Sequence, residues 1–354
     1  MSHNLGSVGH GYYWPGIVFS SDGESIQLNK SPSLENTGPV RYLERLSAWV
    51  TGDEFQSGVS RFVESTLSRL EDCKVENTEL AAQWAILQEE LACEHTSLLR
   101  QLEARLGYDP EEAPEPLLER IVALYQQYGR QAMEELAVVG GQQIEPTLDD
   151  LKNKLAQSRK VIRISDLPAI QKNAREMPDS YPEQPWQRAA RLAACVRRTW
   201  GLKGKLSNRT FADCLATPEA TILEQNPTEK SAISIGAESQ TGDIALVIGK
   251  YRPDSRRFML ARILGDTLHA MNGDHWFPCT ESTTARQKFQ RAFAQELLCP
   301  YEDLIEWMDT TTPDEELIDA AADHFEVSPL LVDTVLVNHG HRHQSELDAY
   351  QSIA

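Results

Sequence analysis

The sequence predicts an α+β protein that is predominantly helical. An N-terminal β-hairpin and an acidic helical region precede a second domain that carries a small sheet. Three observations predict this class. Long stretches repeat apolar residues at i, i+3 and i+4, the spacing of one helix face. Short apolar runs bounded by glycine and polar turns occur in only a few places, so strands are few. With 354 residues and 41% apolar side chains, the chain can build two or three domains with their own cores.

Residues 12–28 (YYWPGIVFSSDGESIQL) read as two short strands around Ser-Ser-Asp-Gly, a hairpin turn. Pro32, Gly38 and Pro39 then break the chain, and helical periodicity is expected from Tyr42. Phe55, Val59, Phe62, Val63, Leu67 and Leu70 form one apolar stripe. Leu80, Trp84, Leu87 and Leu91 form a second, and Leu98, Leu99, Leu102 and Leu106 a third. Gly107 suits a helix end, Asp109-Pro110 and Pro114 delay the next start, and residues 117–139 continue the pattern up to Gly140-Gly141. A helix at 147–157 and a short apolar run at 161–164 follow. Three prolines within 173–186 mark an extended linker. The expected divisions are therefore 1–40 (hairpin), 41–172 (acidic helical region), 173–186 (linker), 187–340 (second domain) and 341–354 (tail). In the second domain a helix at 186–199 ends at Gly201, and a short helix lies at 208–215. Strands at 231–236 and 244–249 flank Gly242-Asp243. Helices are expected at 256–271, at 284–298 before Pro300, and as a closing pair at 313–325 and 329–338.

The net charge of −19 is unevenly spread. Residues 1–150 hold 10 basic and 25 acidic side chains, residues 151–300 hold 23 and 15, and residues 301–354 hold 1 and 13. An acidic chain is repelled by nucleic acid, which disfavours general DNA binding. The exception is the run 186–212, with Arg188, Arg191, Arg197, Arg198, Lys203, Lys205 and Arg209 and no acid. Two readings are open for it: a solvated helix face that pairs with the acidic ends of the same chain, or a contact surface for phosphate or an acidic partner. No apolar run reaches the roughly 18 residues of a membrane span, and the start MSHNLGSVGHGYYW has no signal-peptide core. The six cysteines include no C-x-x-C pair. The expectation is a soluble cytoplasmic protein, with no membrane partner, whose thiols are reduced, buried and inert.

The order helix, helix, strand, strand, and then Arg257-Phe258-Met259-Leu260-Ala261 opening a helix, resembles the ImmA/IrrE-type zinc metallopeptidases, in which R-F-x-L-A leads into H-E-x-G-H. Residues 293–300 (FAQELLCP) are similar to the family's F-A-A-E-L-L-x-P on the next helix. Residues 321–330 (AADHFEVSPL) are similar to its closing F-x-V-S element. Together these cover about residues 186–340. Residues 106–114 (LGYDPEEAP) also resemble long-form members with a helical N-terminal extension. The resemblance implies a zincin-like domain. Its first helix would carry two zinc-binding histidines at i and i+4 and a glutamate base after the first, with an acidic third ligand on the next helix. Here Arg262, Ile263 and Asp266 stand at those positions, Leu264 and Gly265 are kept, and residues 283–293 contain no Asp or Glu. A guanidinium is no metal ligand, and its charge opposes a dication. The domain therefore reads as degenerate, with no catalytic residue, metal or cofactor expected.

Arg262 and Asp266, one turn apart, are expected to form an ion pair in the old metal position, with Arg262 bridging to a polar group within 283–293. Arg262, Asp266 and His269 are the candidate cleft residues, faced by Arg286, Lys288 and Arg291 on the next helix. Asp266, His269, His275, Cys279 and Glu281 form a ligand-rich stretch of helix and loop, and His339, His341 and His343 another in the tail. Neither fits a standard metal template, so both read as ordinary polar residues. No nucleophile elbow, phosphate loop or dinucleotide fingerprint is present.

The resemblance implies a bacterial or phage setting in stress response, transcriptional regulation or defence. The function expected is that of a regulatory interaction protein whose peptidase-like cleft binds a protein partner, such as a helix-turn-helix regulator or another defence component. Two alternatives stand beside it. One is a nucleic-acid-associated regulator that binds through Arg188, Arg191, Arg197, Arg198, Lys203 and Lys205. The other is a hydrolase of unrecognised type. The helix pair after Pro313 could not neutralise phosphates, because residues 301–341 contain no Lys or Arg.

Overall fold

The computed structural model describes residues 2–8, 11, 13–30, 40–164, 166–175, 183–224, 231–270, 273–343 and 347. It is predominantly helical with two four-stranded antiparallel sheets, the α+β class expected. The chain divides into two compact units, residues 1–101 with 283–285, and residues 102–282 with 286–354.

The first unit opens with β1 (Ser2–Asn4), β2 (Ile17–Ser21), β3 (Ser25–Lys30) and β4 (Leu46–Thr51), a meander in sequential order. The expected hairpin is β2–β3. Its turn is tied by the Asp22 carboxylate, which accepts from the amides of Glu24 at 3.1 Å and Ser25 at 2.9 Å. Helix was expected from Tyr42, but α1 (Gly52–Asp72) starts ten residues later. Residues 46–51 instead pair along the whole of β3, from Leu46 opposite Lys30 to Thr51 opposite Ser25. A strand already needing a partner decides their state, and no local window contains that information. At Thr51 the chain turns through a capping box: the hydroxyl accepts from the Glu54 amide at 3.2 Å, and the Glu54 carboxylate accepts from the Thr51 amide at 2.8 Å. Next come α2 (Glu79–Ala92), capped by Thr78, and α3 (Glu94–Leu106), within which the division between units falls.

The second unit continues with α4 (Glu115–Tyr128), α5 (Arg130–Gly140), α6 (Ile144–Gln157), β5 (Val161–Ile162) and α7 (Leu167–Arg175). After these come α8 (Pro185–Thr199), α9 (Asn208–Cys214), α10 (Ala220–Leu223), β6 (Ser234–Glu238) and β7 (Ile244–Val247). It closes with α11 (Pro253–His269), β8 (Trp276–Cys279), α12 (Ala285–Leu298), α13 (Tyr301–Met308), α14 (Glu315–Phe325) and α15 (Pro329–Asn338). The single helix expected over 117–139 is two, broken at Gly129, whose φ of +100° is open to glycine but rarely to other residues. Residues 276–279, expected as loop, form β8. Its proline is tolerated because β8 lies at the edge of the sheet, in the order β5-β7-β6-β8.

The sequence places its main boundary at 173–186, of which 176–182 lie outside the described residues. The compact units divide earlier because α5 packs on β8 and α6 on β7. The core joins Leu260, Ile263 and Leu264 of α11 to Phe289, Phe293 and Leu297 of α12, and to Val196, Phe211 and Phe325 around them. Two glycines set the spacing. A Cβ on Gly236 would lie 2.6 Å from Ile263, and one on Gly265 would lie 2.5 Å from the Phe293 ring. α11 is thus pressed between the sheet and α12. Among the described residues no helix is long and apolar enough to cross a membrane.

Overpacking at this contact has a measurable cost. Gly265→Ala should destabilise the protein by about 1–3 kcal/mol in urea unfolding, because the buried Phe293 ring has little room to retreat.

Candidate functional site

Arg262 and Asp266 both point into the protein from α11, each only 1% exposed. The ion pair expected between them is not formed. Arg262 donates through Nη2 to the Thr280 carbonyl at 2.7 Å and to Gln287 Oε1 at 2.6 Å, with Met259 sulfur 3.8 Å from Nη1. The expected bridge to a polar group within 283–293 therefore exists, to Gln287 alone. Asp266 is claimed from the opposite helix. Arg286 grips it with Nε at 2.9 and 3.1 Å and Nη2 at 2.8 Å, a forked contact that an i, i+4 neighbour on one helix cannot match.

Arg286 also reaches Asp274 at 3.0 Å and the Trp276 carbonyl at 3.1 Å. Asp274 in turn accepts the backbone N–H of Ala132, in the first turn of α5, so it caps that helix from outside. The approach is close: a Cβ on Gly129 would fall 2.0 Å from the Asp274 carboxylate. The same junction is fixed by the His275 amide donating to the Tyr128 carbonyl at 3.1 Å and by the Tyr128 ring 4.1 Å from Trp276. Further along, Ser282 donates to the buried Glu135 of α5 at 3.0 Å. The helices expected as an N-terminal extension thus bind the outer edge of the sheet at β8.

Burial disfavours the Arg286 charge, but Asp266 and then Asp274 more than offset this and hold its pKa above the usual arginine range. Burial raises the pKa of Asp274, with Arg286 opposing the shift. Its folded value therefore exceeds its unfolded one, so its share of stability is present at acid pH and falls away as pH rises through the folded value. Arg291 donates to the Ser282 carbonyl at 2.7 Å, and burial together with nearby Arg262 lowers its pKa.

The other predicted residues scatter. His269 is exposed and stacks on Phe289 at 4.0 Å. Lys288 lines a separate groove with Trp186, Gln295, Thr334 and Asn338. In the basic run, Arg197 is buried and donates to the carbonyls of Leu297 and Gly204 and to Asp303. Lys205 pairs with Glu326 at 2.9 Å and Arg191 with Glu183, while Arg188 is half-buried. Only Arg198, Lys203, Lys205 and Arg209 are exposed, so the run does not form one phosphate-facing surface. Arg197 and Lys205 pair with the acidic C-terminal segment, as the first of the two readings has it.

Among the described residues no three His, Cys, Asp or Glu side chains converge as a metal site would require. In the tail, His339 stacks on Tyr301 at 3.6 Å, and the Tyr301 hydroxyl meets His341 Nε2 at 2.6 Å. The expectation of six buried thiols is corrected at Cys73 and Cys93, which are exposed. The side-chain hydroxyl of Thr96, followed by its amide, lowers the Cys93 pKa, whereas burial pushes Cys279 and Cys299 up to about 12.

Sequence reasoning missed Gln287, Asp274, Glu135 and Gly129. Gly129 alone left a signal, a glycine inside an otherwise continuous helical pattern. Comparison of the chain with protein-family profiles, curated protein sequences and solved structures finds no match.

Arg286→Ala leaves two carboxylates buried without a cation and should cost about 3–5 kcal/mol at neutral pH. Both would then titrate above their unfolded values, so the loss should shrink towards about pH 4 in urea unfolding measured at several pH values. Native alkylation at pH 8 followed by mass spectrometry should modify Cys73 and Cys93, with Cys279 and Cys299 reacting only after denaturation.

Proposed function

We propose that this chain is a non-catalytic regulatory or interaction protein built on an ImmA/IrrE-like peptidase scaffold, and that its remaining groove receives a protein partner. The observation that carries the reading is the state of the two positions where the resemblance would put zinc-binding histidines. Arg262 and Asp266 are buried there, the first bound by Thr280 and Gln287 and the second by Arg286. Ile263, at the position of the base, is fully buried against the sheet. A protein that retained hydrolysis by that mechanism would need a dication where two guanidinium groups now lie.

A groove of about 310 Å³ remains beside this point, lined by Val138, Val139, Ile233, Met259, Thr280 and Ser282. Met259 and Thr280 are the residues that hold Arg262, so the groove sits directly over the altered position. Its apolar walls and polar floor suit one or two apolar side chains of a partner segment. The resemblance places such a partner among helix-turn-helix regulators or other components of bacterial or phage stress response and defence. Nucleic-acid binding has less support, because Arg197 and Lys205 are already engaged by Asp303 and Glu326.

Metal analysis of the purified protein should find well below one zinc per chain; a full equivalent that Asp266→Asn removes would overturn the reading. The groove is tested separately by Val139→Asp. A partner that co-purifies with the native chain from its own host should be lost from this variant, and a partner that stays bound would place the interaction elsewhere.

A further inference from the structure

The first compact unit lacks what normally stabilises a fold. Among the described residues every buried apolar side chain lies at Leu102 or beyond. Of 22 large apolar side chains that are exposed, 14 fall within residues 1–101. Burial of apolar surface is the main favourable term in folding, so an assembly that covers this surface is strongly favoured. The most exposed of these side chains is Phe62, at 71%, on α1. The same helix rests on its own sheet through Phe55, whose ring lies 5.5 Å from Phe19 of β2. One turn before Phe62, the space next to Gly58 is open, with no atom within 4 Å of where a Cβ would stand. No ion pair among the described residues engages Arg61, Glu64 or Arg69 of this helix.

We propose that α1 pairs antiparallel with α1 of a second copy of this chain, about a two-fold axis at Phe62. The order of charges on the helix argues for this occupant. A two-fold at Phe62 sets Arg61 against Glu64 of the second copy, and Glu54 against Arg69, each pair being made twice. Each Phe62 meets the open space at Gly58 of the other helix. A two-fold contact uses the same patch on both chains, so the patch must complement itself, and this one does. A parallel pairing would instead oppose Arg61 to Arg61 and Glu64 to Glu64.

The test is the mass of the full chain in solution by sedimentation equilibrium. The expected value is twice the 39.8 kDa of one chain. Phe62→Glu should raise the dissociation constant about 30-fold or more. Arg61→Glu and Glu64→Arg should each weaken the dimer, and the two together should restore it, since the exchanged charges again oppose one another. The inference is overturned by a chain that is monomeric at tens of micromolar, by a dimer that Phe62→Glu leaves unchanged, or by a combined variant no tighter than either single one. If Phe62→Glu loses its helical circular dichroism, the two charge variants and their combination, on exposed side chains, decide the matter.

Discussion

The second unit is organised around one guanidinium. Arg286 lies between Asp266 of α11 and Asp274 ahead of β8, and Asp274 also caps α5, so one cation ties together four elements. A buried ion pair is not in itself a large source of stability, because desolvation takes back much of the Coulombic gain. What it enforces is specificity. Remove any member and an uncompensated charge is left behind, so arrangements that separate α11, α12 and α5 become expensive while the native one stays satisfied. The surroundings obey the same constraint: Arg262, Arg286 and Arg291 are set among Asp266, Asp274 and Glu135, three charges of each sign.

Sequence reasoning reached the right helix and the right residues, but paired them wrongly. Arg262 and Asp266 share a helix face, and with the base N-terminal to the acid their mutual attraction is weak. Arg286 approaches Asp266 across the interface with its planar fork aligned, which a neighbour on the same helix cannot do. The longer reach of Arg262 then goes to Thr280 and Gln287 instead. Local spacing shows which groups can meet. Which of them do meet depends on the rivals that folding brings in from twenty residues away.

The same limit separates the legible parts of the fold from the rest. The β2–β3 hairpin, the stripes of α1 to α3 and the helices α8, α11, α12 and α15 follow from turn chemistry and periodicity, both local properties. β4 and β8 do not. Each is a short strand whose state is fixed by a partner, β3 in one case and β6 in the other. The break at Gly129 was equally hidden. Its backbone conformation matters because Asp274, 145 residues later, occupies the space a side chain would need. Buried glutamines are a third case: Gln287 and Gln290 both donate to the Pro278 carbonyl at 3.0 Å, and nothing in their sequence context marks them as core.

On the functional reading proposed here, the replacement of histidine chemistry by arginine chemistry also has a mechanical logic. A structural or catalytic zinc ties two helices together by drawing ligands from each to a shared dication. Losing such an ion without compensation would leave polar side chains facing one another in a buried space, at a cost for each that is not hydrogen-bonded. Two guanidinium groups restore the positive charge and supply up to ten N–H donors in fixed planes. Arg286 reaches from α12 to α11 and Arg262 from α11 to α12 through Gln287, so the two helices are bound in both directions. Unlike a metal ion, neither cation can be lost by exchange with solvent. A scaffold held in this way keeps the shape of its groove whatever the metal supply, which is what a binding protein requires and a hydrolase does not.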